Sequence, residues 1–179
     1  MAEGCHLNGE NNVALRECEI RPPQGTEVIV GQAFFSPLAV EELFRAIATA
    51  APKAEFGVGM VEGSSGLVRK TGNSPPLAQH AAEEALTVGA GHFFIVMLRG
   101  AFPIQVVNAI TLLPSVVTVF CATGNPLSLI VADTSNGSAI LGVVDGLRAT
   151  AIESEKDALG RRALVRHIGY VEPDNPVAP

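Results

Sequence analysis

The run Phe56-Gly57-Val58-Gly59-Met60 constrains this chain more than any other. Large apolar residues alternate with glycine at a period of two, the repeat of a β-strand. Residues 53–62 therefore read as a strand with Phe56, Val58 and Met60 on one face. Gly57 and Gly59 share the other face. Glycine weakens a strand, so two on one face imply that something packs very close there: another backbone, a helix or a ligand.

Proline and glycine punctuate the rest. Residues 13–20 and 27–31 read as strands. Ser36 followed by Pro37 is a cap with proline at the first helical position, and Leu38, Leu43, Phe44 and Ile47 form the stripe of a helix that Pro52 stops. Gly63-Ser64-Ser65-Gly66 reads as a hairpin turn into a strand over 67–71. Ser74-Pro75 repeats the helix start, with Leu77, Ala81, Ala85 and Leu86 inward and Gly89-Ala90-Gly91 as the stop. His92 opens a strand over 93–98. Pro103 begins a third helix carrying Ile104, Val107, Ile110 and Leu113, and Pro114 ends it.

Three dense apolar runs follow, 116–122, 127–133 and 139–145. They alternate little, which predicts strands buried on both faces by helices or other subunits. Residues 154–168 read as a charged amphipathic helix. Residues 1–12 read as a flexible lead-in and 171–179 as a flexible tail, leaving one domain over 13–170. The fold class expected is α/β: a single layered domain with a mixed β-sheet flanked by helices.

With 47% hydrophobic and 17% charged residues, the 179-residue chain can bury a core, and it has few charges with which to cover itself. A homo-oligomer is expected, with trimers and hexamers among the orders allowed. The net charge of −6 and 5% aromatic content argue against a nucleic-acid binder, which needs cations for phosphates and rings for bases. No apolar run reaches the roughly 18 residues of a spanning helix. The polar start Met1-Ala2-Glu3-Gly4-Cys5-His6 is unlike a signal peptide. The expectation is a cytoplasmic protein without a membrane partner.

The cysteines, Cys5, Cys18 and Cys121, are too far apart for a zinc cluster, and no H-E-x-x-H run occurs. No metal ligand is assigned. Cys18 and Cys121 read as small apolar strand residues. Nucleotide-binding motifs fail as well. Gly66-Leu67-Val68-Arg69-Lys70-Thr71 has Arg69 where a P-loop needs glycine, and Gly89-Ala90-Gly91 follows a helix where a dinucleotide fingerprint must follow a strand.

Among the histidines, His6 and His80 read as solvated, and His167 as a favourable group at a helix end. His92 should stand at the rim of the sheet. There it is either a hydrogen-bonded structural residue or a catalytic one. Glu62, Asn108, Asn125 and Asp145 interrupt apolar runs. Asn125 and Asp145, beside Pro126 and Gly146, are either turn residues or groups for ribose hydroxyls and base edges at strand ends.

Seven ordered runs carry a further signal: Val30–Phe34, Phe56–Val58, Gly89–Phe93, Phe102–Ile104, Val107–Ile110, Ala122–Leu127 and Leu141–Gly146. Together they closely resemble the adenosine-specific kinase family over about residues 13–170. The resemblance implies a compact α/β domain in a homo-oligomer. It also implies binding of adenosine and AMP in preference to ADP or ATP, and a histidine that carries a phosphoryl group. That role falls on His92 through the match of Gly89-Ala90-Gly91-His92.

Two departures from the family pattern stand out. Gly124-Asn125-Pro126 replaces a frequent Ala-Asn-Pro, and Gly137-Ser138-Ala139 replaces a frequent Gly-Arg-Gly. The second removes a planar phosphate partner.

The candidate site is thus His92 as phosphoryl acceptor, with Gly89, Gly91, Glu62, Arg69, Asn108, Asn125 and Asp145 as ligand contacts. Glu62 or Asp145 could hold the second ring nitrogen, since a carboxylate there fixes the tautomer. Arg69, Lys70 and the backbone amides of residues 89–91 could neutralise the transferring group. The ligand expected is adenosine or AMP; a role for Mg²⁺ stays open. The alternatives are a non-catalytic adenine-nucleotide sensor or oligomeric binding module and, more remotely, an unrelated enzyme using Cys121 with His92.

Overall fold

The computed structural model describes residues 13–167, with the Ser36 side chain left out of account. The proposed lead-in and tail, with His6 and Cys5, lie outside the described residues. Two compact units divide after Gly146.

The first unit holds eight strands and three helices: β1 (Ala14–Ile20), β2 (Glu27–Ala33), α1 (Ser36–Ala50), β3 (Glu55–Val61), β4 (Val68–Gly72), α2 (Pro75–Val88), β5 (Phe93–Arg99), a 3-10 turn (Pro103–Gln105), α3 (Val107–Thr111), β6 (Val116–Thr123), β7 (Leu127–Thr134) and β8 (Gly137–Asp145). The α/β class holds. The strands form two sheets, ordered β4-β3-β5-β2-β6 and β1-β7-β8. Every pairing among them is antiparallel. The β2–α1–β3 run invites a parallel pair, but β5 is inserted between β2 and β3 and runs against both.

The glycine stripe of β3 is explained by a helix. A Cβ on Gly57 would lie 2.1 Å from the Ala78 nitrogen, and one on Gly59 would lie 2.3 Å from the Ala81 carbonyl oxygen. The α2 backbone rests directly on the strand at these two points. On the opposite face Phe56, Val58 and Met60 pack with Phe94, Val96 and Leu98 of β5 and with Leu43 and Ile47 of α1. The alternate β5 residues Phe93, Ile95 and Met97 join Leu77, Ala81 and Ala85 of α2 and Leu129 and Val131 of β7. Strand β5 is therefore buried on both faces, which is why it reads as a continuous apolar run.

Several local expectations shift. The N-cap of α1 is Phe35, in a left-handed conformation (φ 53°), where Ser36 was expected. Leu38 and Leu86 are exposed, because Ala39 and Val40 of α1 and Ala85 and Val88 of α2 occupy the inward positions. The third helix is only Val107–Thr111 behind a 3-10 turn, with Val106 and Ile110 buried and Ile104 exposed. Within one chain, β6 and β8 are not covered on both faces. They are edge strands, and Val117 and Leu141 remain 62% and 61% exposed.

The second unit contains α4 (Glu155–His167), with no buried residue. Ser154 and Asp157 cap its start reciprocally, the Ser154 N–H donating to Asp157 Oδ2 at 2.9 Å and the Asp157 N–H to Ser154 Oγ at 3.3 Å. No helix among the described residues is long and apolar enough to cross a membrane.

Candidate functional site

The bend after α2 is built by backbone demands. Gly89 takes the left-handed cap conformation (φ 66°), and its N–H donates to the Ala85 carbonyl at 2.9 Å. From β1, Arg16 donates to the last carbonyls of the helix, Thr87 at 3.0 Å and Val88 at 2.6 Å. A cation there also complements the negative end of the helix dipole.

His92 is itself left-handed, with φ 63°. A residue with a Cβ pays about 1–2 kcal/mol for that conformation. Two bonds hold it: His92 N–H donates to the Val61 carbonyl, and the His92 carbonyl accepts from Ala33 N–H, both at 3.0 Å. Its backbone is thereby pinned between the ends of β3 and β2. The ring packs on Gly63, where a Cβ would lie 2.5 Å from Nε2. Nδ1 is fully buried and has no hydrogen-bond partner, the sole such side-chain nitrogen or oxygen among the described residues. A buried polar atom left in that state costs about 1–3 kcal/mol, so its retention calls for an explanation.

A cavity of about 200 Å³ adjoins the bend, lined by Gln32, Ala90, Gly91, Phe93, Phe120, Ser138, Ala139 and Ile140. The His92 ring is not part of its wall; His92 adjoins it through its chain neighbours Gly91 and Phe93. Behind Ser138 runs a chain of polar groups. The Ser138 hydroxyl donates to Asp133 Oδ1 at 2.5 Å. Arg16 grips the same carboxylate, Nε to Oδ2 at 2.7 Å and Nη2 to Oδ1 at 3.3 Å. Hydrogen bonds from Arg16 and then Ser138 hold the Asp133 carboxyl below its ordinary range.

Glu62 stands one residue from Gly63. Its carboxylate accepts from Ser65 Oγ at 2.9 Å, Arg69 Nε at 2.6 Å and Ser64 Oγ at 3.3 Å. Those bonds, Ser65 first and Arg69 next, lower its pKa. Glu62 and Arg69 therefore satisfy each other, and neither is bonded to the His92 ring. Lys70 donates to Gln79 at 2.5 Å. The Gly89 amide is consumed by the helix cap. Of the partners expected for a phosphoryl group, Arg69, Lys70 and the Gly89 amide are thus committed within the fold.

Asn125 and Asp145 belong to a different place. Asp145 Oδ1 accepts from Thr123 Oγ1 at 2.7 Å and from Asn125 Nδ2 at 3.1 Å, and Oδ2 accepts from Cys121 Sγ at 3.4 Å. Thr123 also accepts from the Asn125 N–H at 2.9 Å. This network locks the β6–β7 turn to the end of β8. Thr123 stands opposite Val28, whereas the cavity residue Gln32 stands opposite Thr118. Four residues of β2 separate the two places, about 13 Å at the strand rise. Asp145 therefore does not hold the His92 ring. At Cys121, burial, followed by Asp145, pushes the thiol up to about 11, against the thiolate a nucleophile needs. Asn108 is exposed on α3. His80 is less free than expected, its Nε2 lying 2.7 Å from the Arg21 carbonyl.

The structure thus gathers His92, Gly89, Gly91, Glu62 and Arg69 around one bend and leaves Asn108, Asn125 and Asp145 elsewhere. It adds Gly63, Gln32, Phe120, Ser138 and Arg16. Gly63 was legible only as a turn residue. Gln32 offered a signal, a lone polar residue inside an apolar strand. Among the described residues, no three His, Cys, Asp or Glu side chains group to hold a metal ion.

A family model described as adenosine specific kinase matches residues 18–171. No curated protein matches the chain. The crystal structure of the PH1918 protein from Pyrococcus horikoshii OT3 is similar at 43% sequence identity and a TM-score of 0.85, over 90% of this chain and 99% of that one.

Proposed function

The chain belongs to the adenosine-specific kinase family, and on that footing we propose that it binds adenosine and AMP beside the Gly89–His92 bend and phosphorylates adenosine through His92. The observation that carries this reading is the imidazole itself. Its residue is held in a costly backbone conformation between two cavity-lining neighbours, Gly91 and Phe93, and its buried Nδ1 has no hydrogen-bond partner among the described residues. The cavity walls suit the ligand. Phe93 and Phe120 offer apolar ring surface, and the Gln32 carboxamide offers the donor–acceptor pair that matches an adenine edge. At about 200 Å³ it falls below the roughly 300–1,000 Å³ of drug-sized sites, which favours one nucleoside moiety over a di- or triphosphate.

In this reading a ring nitrogen of His92 attacks the terminal phosphorus of a phosphoanhydride donor. The P–N bond forms, the bridging P–O bond breaks, and the ring gives up its N–H proton to solvent. The adenosine 5′-hydroxyl then attacks the phosphorus. The P–N bond breaks and its electron pair returns to the ring, while the hydroxyl proton passes to the ring. Shelter from water keeps the phosphoramidate from hydrolysing between the steps.

A second reading, a non-catalytic adenine-nucleotide sensor or binding module, is favoured by one observation. Arg69, Lys70 and Arg16 are each bonded within the fold. We further propose that the protein works in the cytoplasm as a homo-oligomer joined through the apolar edges of β6 and β8.

A thermal-shift series with adenosine, AMP, ADP and ATP tests binding, because a ligand of the folded state raises apparent stability. Shifts with the first two and none with ATP are expected; no shift with any of the four rejects the binding reading. Phosphoprotein labelling and conversion of adenosine to AMP, compared with a folded His92→Ala variant, separate kinase from sensor. Labelling that survives in the variant removes His92 from the role. Light scattering of a monomer at micromolar concentration would remove the oligomer.

A further inference from the structure

Ser138 meets the cavity with only one kind of hydrogen-bonding capacity, and the reason lies behind it. Arg16 holds Asp133 ionised, through Nε at 2.7 Å and Nη2 at 3.3 Å. An ionised carboxylate only accepts hydrogen bonds. The Ser138 hydroxyl, 2.5 Å from Asp133 Oδ1, must therefore spend its one proton on that carboxylate. What it presents to the cavity is oxygen lone pairs. A ligand group placed there has to be a donor, and an anion would face lone pairs with a carboxylate behind them.

We propose that Ser138 is a specificity-determining residue that accepts a hydrogen bond from a hydroxyl or amino group of the bound nucleoside, with Arg16 and Asp133 as positioning residues that keep it an acceptor. The proposal rests on the nucleoside-binding reading and deepens it. It turns the neutral donor-bearing part of the ligand, a ribose hydroxyl or the 6-amino group, toward Ser138. The phosphate of a nucleotide is directed to another part of the site. Arg16 joins the two halves of the arrangement, since the same guanidinium closes the end of α2 from which the Gly89–His92 bend departs. The device depends on a bond between residues 117 apart in sequence, which no local motif announces.

The test is calorimetric titration of four ligands: adenosine, 2′-deoxyadenosine, 3′-deoxyadenosine and purine riboside, which lacks the 6-amino group. Each analogue deletes one donor. The wild-type protein should bind one analogue about tenfold more weakly than adenosine, the scale of one net hydrogen bond. Ser138→Ala should weaken adenosine about tenfold and leave that one analogue unchanged, so that the preference disappears. Ser138→Thr, which keeps the hydroxyl, should retain it. Asp133→Asn should blunt the preference although Ser138 remains, an effect that simple loss of fold would not produce. Thermal unfolding of each free variant identifies any that fail to fold. A wild-type protein that binds all four ligands alike, or a preference that survives in folded Ser138→Ala, overturns the proposal while leaving nucleoside binding standing. A wild-type protein that binds none of the four overturns the nucleoside reading and this proposal with it.

Discussion

The imidazole of His92 and the α-carbon of Gly63 leave no room between them for a methyl group: a Cβ at Gly63 would sit 2.5 Å from Nε2 and 2.8 Å from Cδ2. Gly63 thus sets the ring's position from within the β3–β4 turn. The ring cannot swing away freely, because its backbone is pinned to Val61 and Ala33.

Gly63→Ala should therefore displace the imidazole. The expected stability loss is about 1–3 kcal/mol, the ordinary cost of overpacking, measurable by urea unfolding. The functional effect should be larger, with phosphoprotein labelling falling at least tenfold. Full labelling in Gly63→Ala would show that the ring position does not matter.

At His92 the backbone makes its own prediction. Alanine and histidine both strain at φ 63°, whereas glycine does not. His92→Gly should be more stable than His92→Ala by about 1 kcal/mol, with both variants lacking the imidazole. Equal melting curves would argue that the left-handed conformation is not a burden at this position.

The contact of β3 with α2 should be the least forgiving in the fold. Gly57→Ala would set a methyl 2.1 Å from backbone nitrogen, and Gly59→Ala one 2.3 Å from a backbone carbonyl oxygen. Backbone cannot rotate aside as a side chain can. Each variant should lose about 3 kcal/mol or more, or fail to fold. Far-UV circular dichroism and urea unfolding would decide it, and a loss under 1 kcal/mol would contradict the packing.

Acid should loosen the Arg16–Asp133 link in a defined window. The Asp133 carboxyl is held below its ordinary value, first by Arg16 and then by Ser138. A depressed folded-state pKa gives stability that is present above the unfolded value of about 3.9 and is lost as pH falls through the folded one. The melting temperature of wild type should thus fall faster than that of Asp133→Asn as pH drops below about 4. Parallel curves would mean that the ion pair does not contribute.

Cys121 should be sluggish toward alkylation. Its thiol is pushed up to about 11, first by burial and then by the adjacent Asp145. At pH 8 little thiolate forms, so iodoacetamide should react far more slowly with Cys121 than with a free thiol. Asp145→Asn should speed the reaction only in part, since burial remains. Rapid wild-type labelling at Cys121 would refute this.

Much of the molecule was legible in neighbouring residues. The alternation at Phe56–Met60, the prolines in the first turns of α1 and α2, and the glycine after Val88 act within a few residues of themselves, where periodicity and backbone freedom decide conformation. The same local character let seven short runs carry the family resemblance, since each is a turn or strand end with its own steric demands.

What packing alone decided is of another kind. Strand β5 lies between β2 and β3, so helices joining strands do not produce a parallel pair. The close partner of Gly57 and Gly59 is α2, one of several candidates that glycine by itself cannot tell apart. Among the described residues His92 finds no carboxylate, because Glu62 is taken by Arg69 and Asp145 is bonded to Thr123 at the far end of β6. Arg16 meets Asp133 across 117 residues. Spacing along a chain reports which residues can share a face, but hydrogen-bonding capacity is finite, and which partner claims it depends on distances that exist only after the sheets and helices have closed on one another.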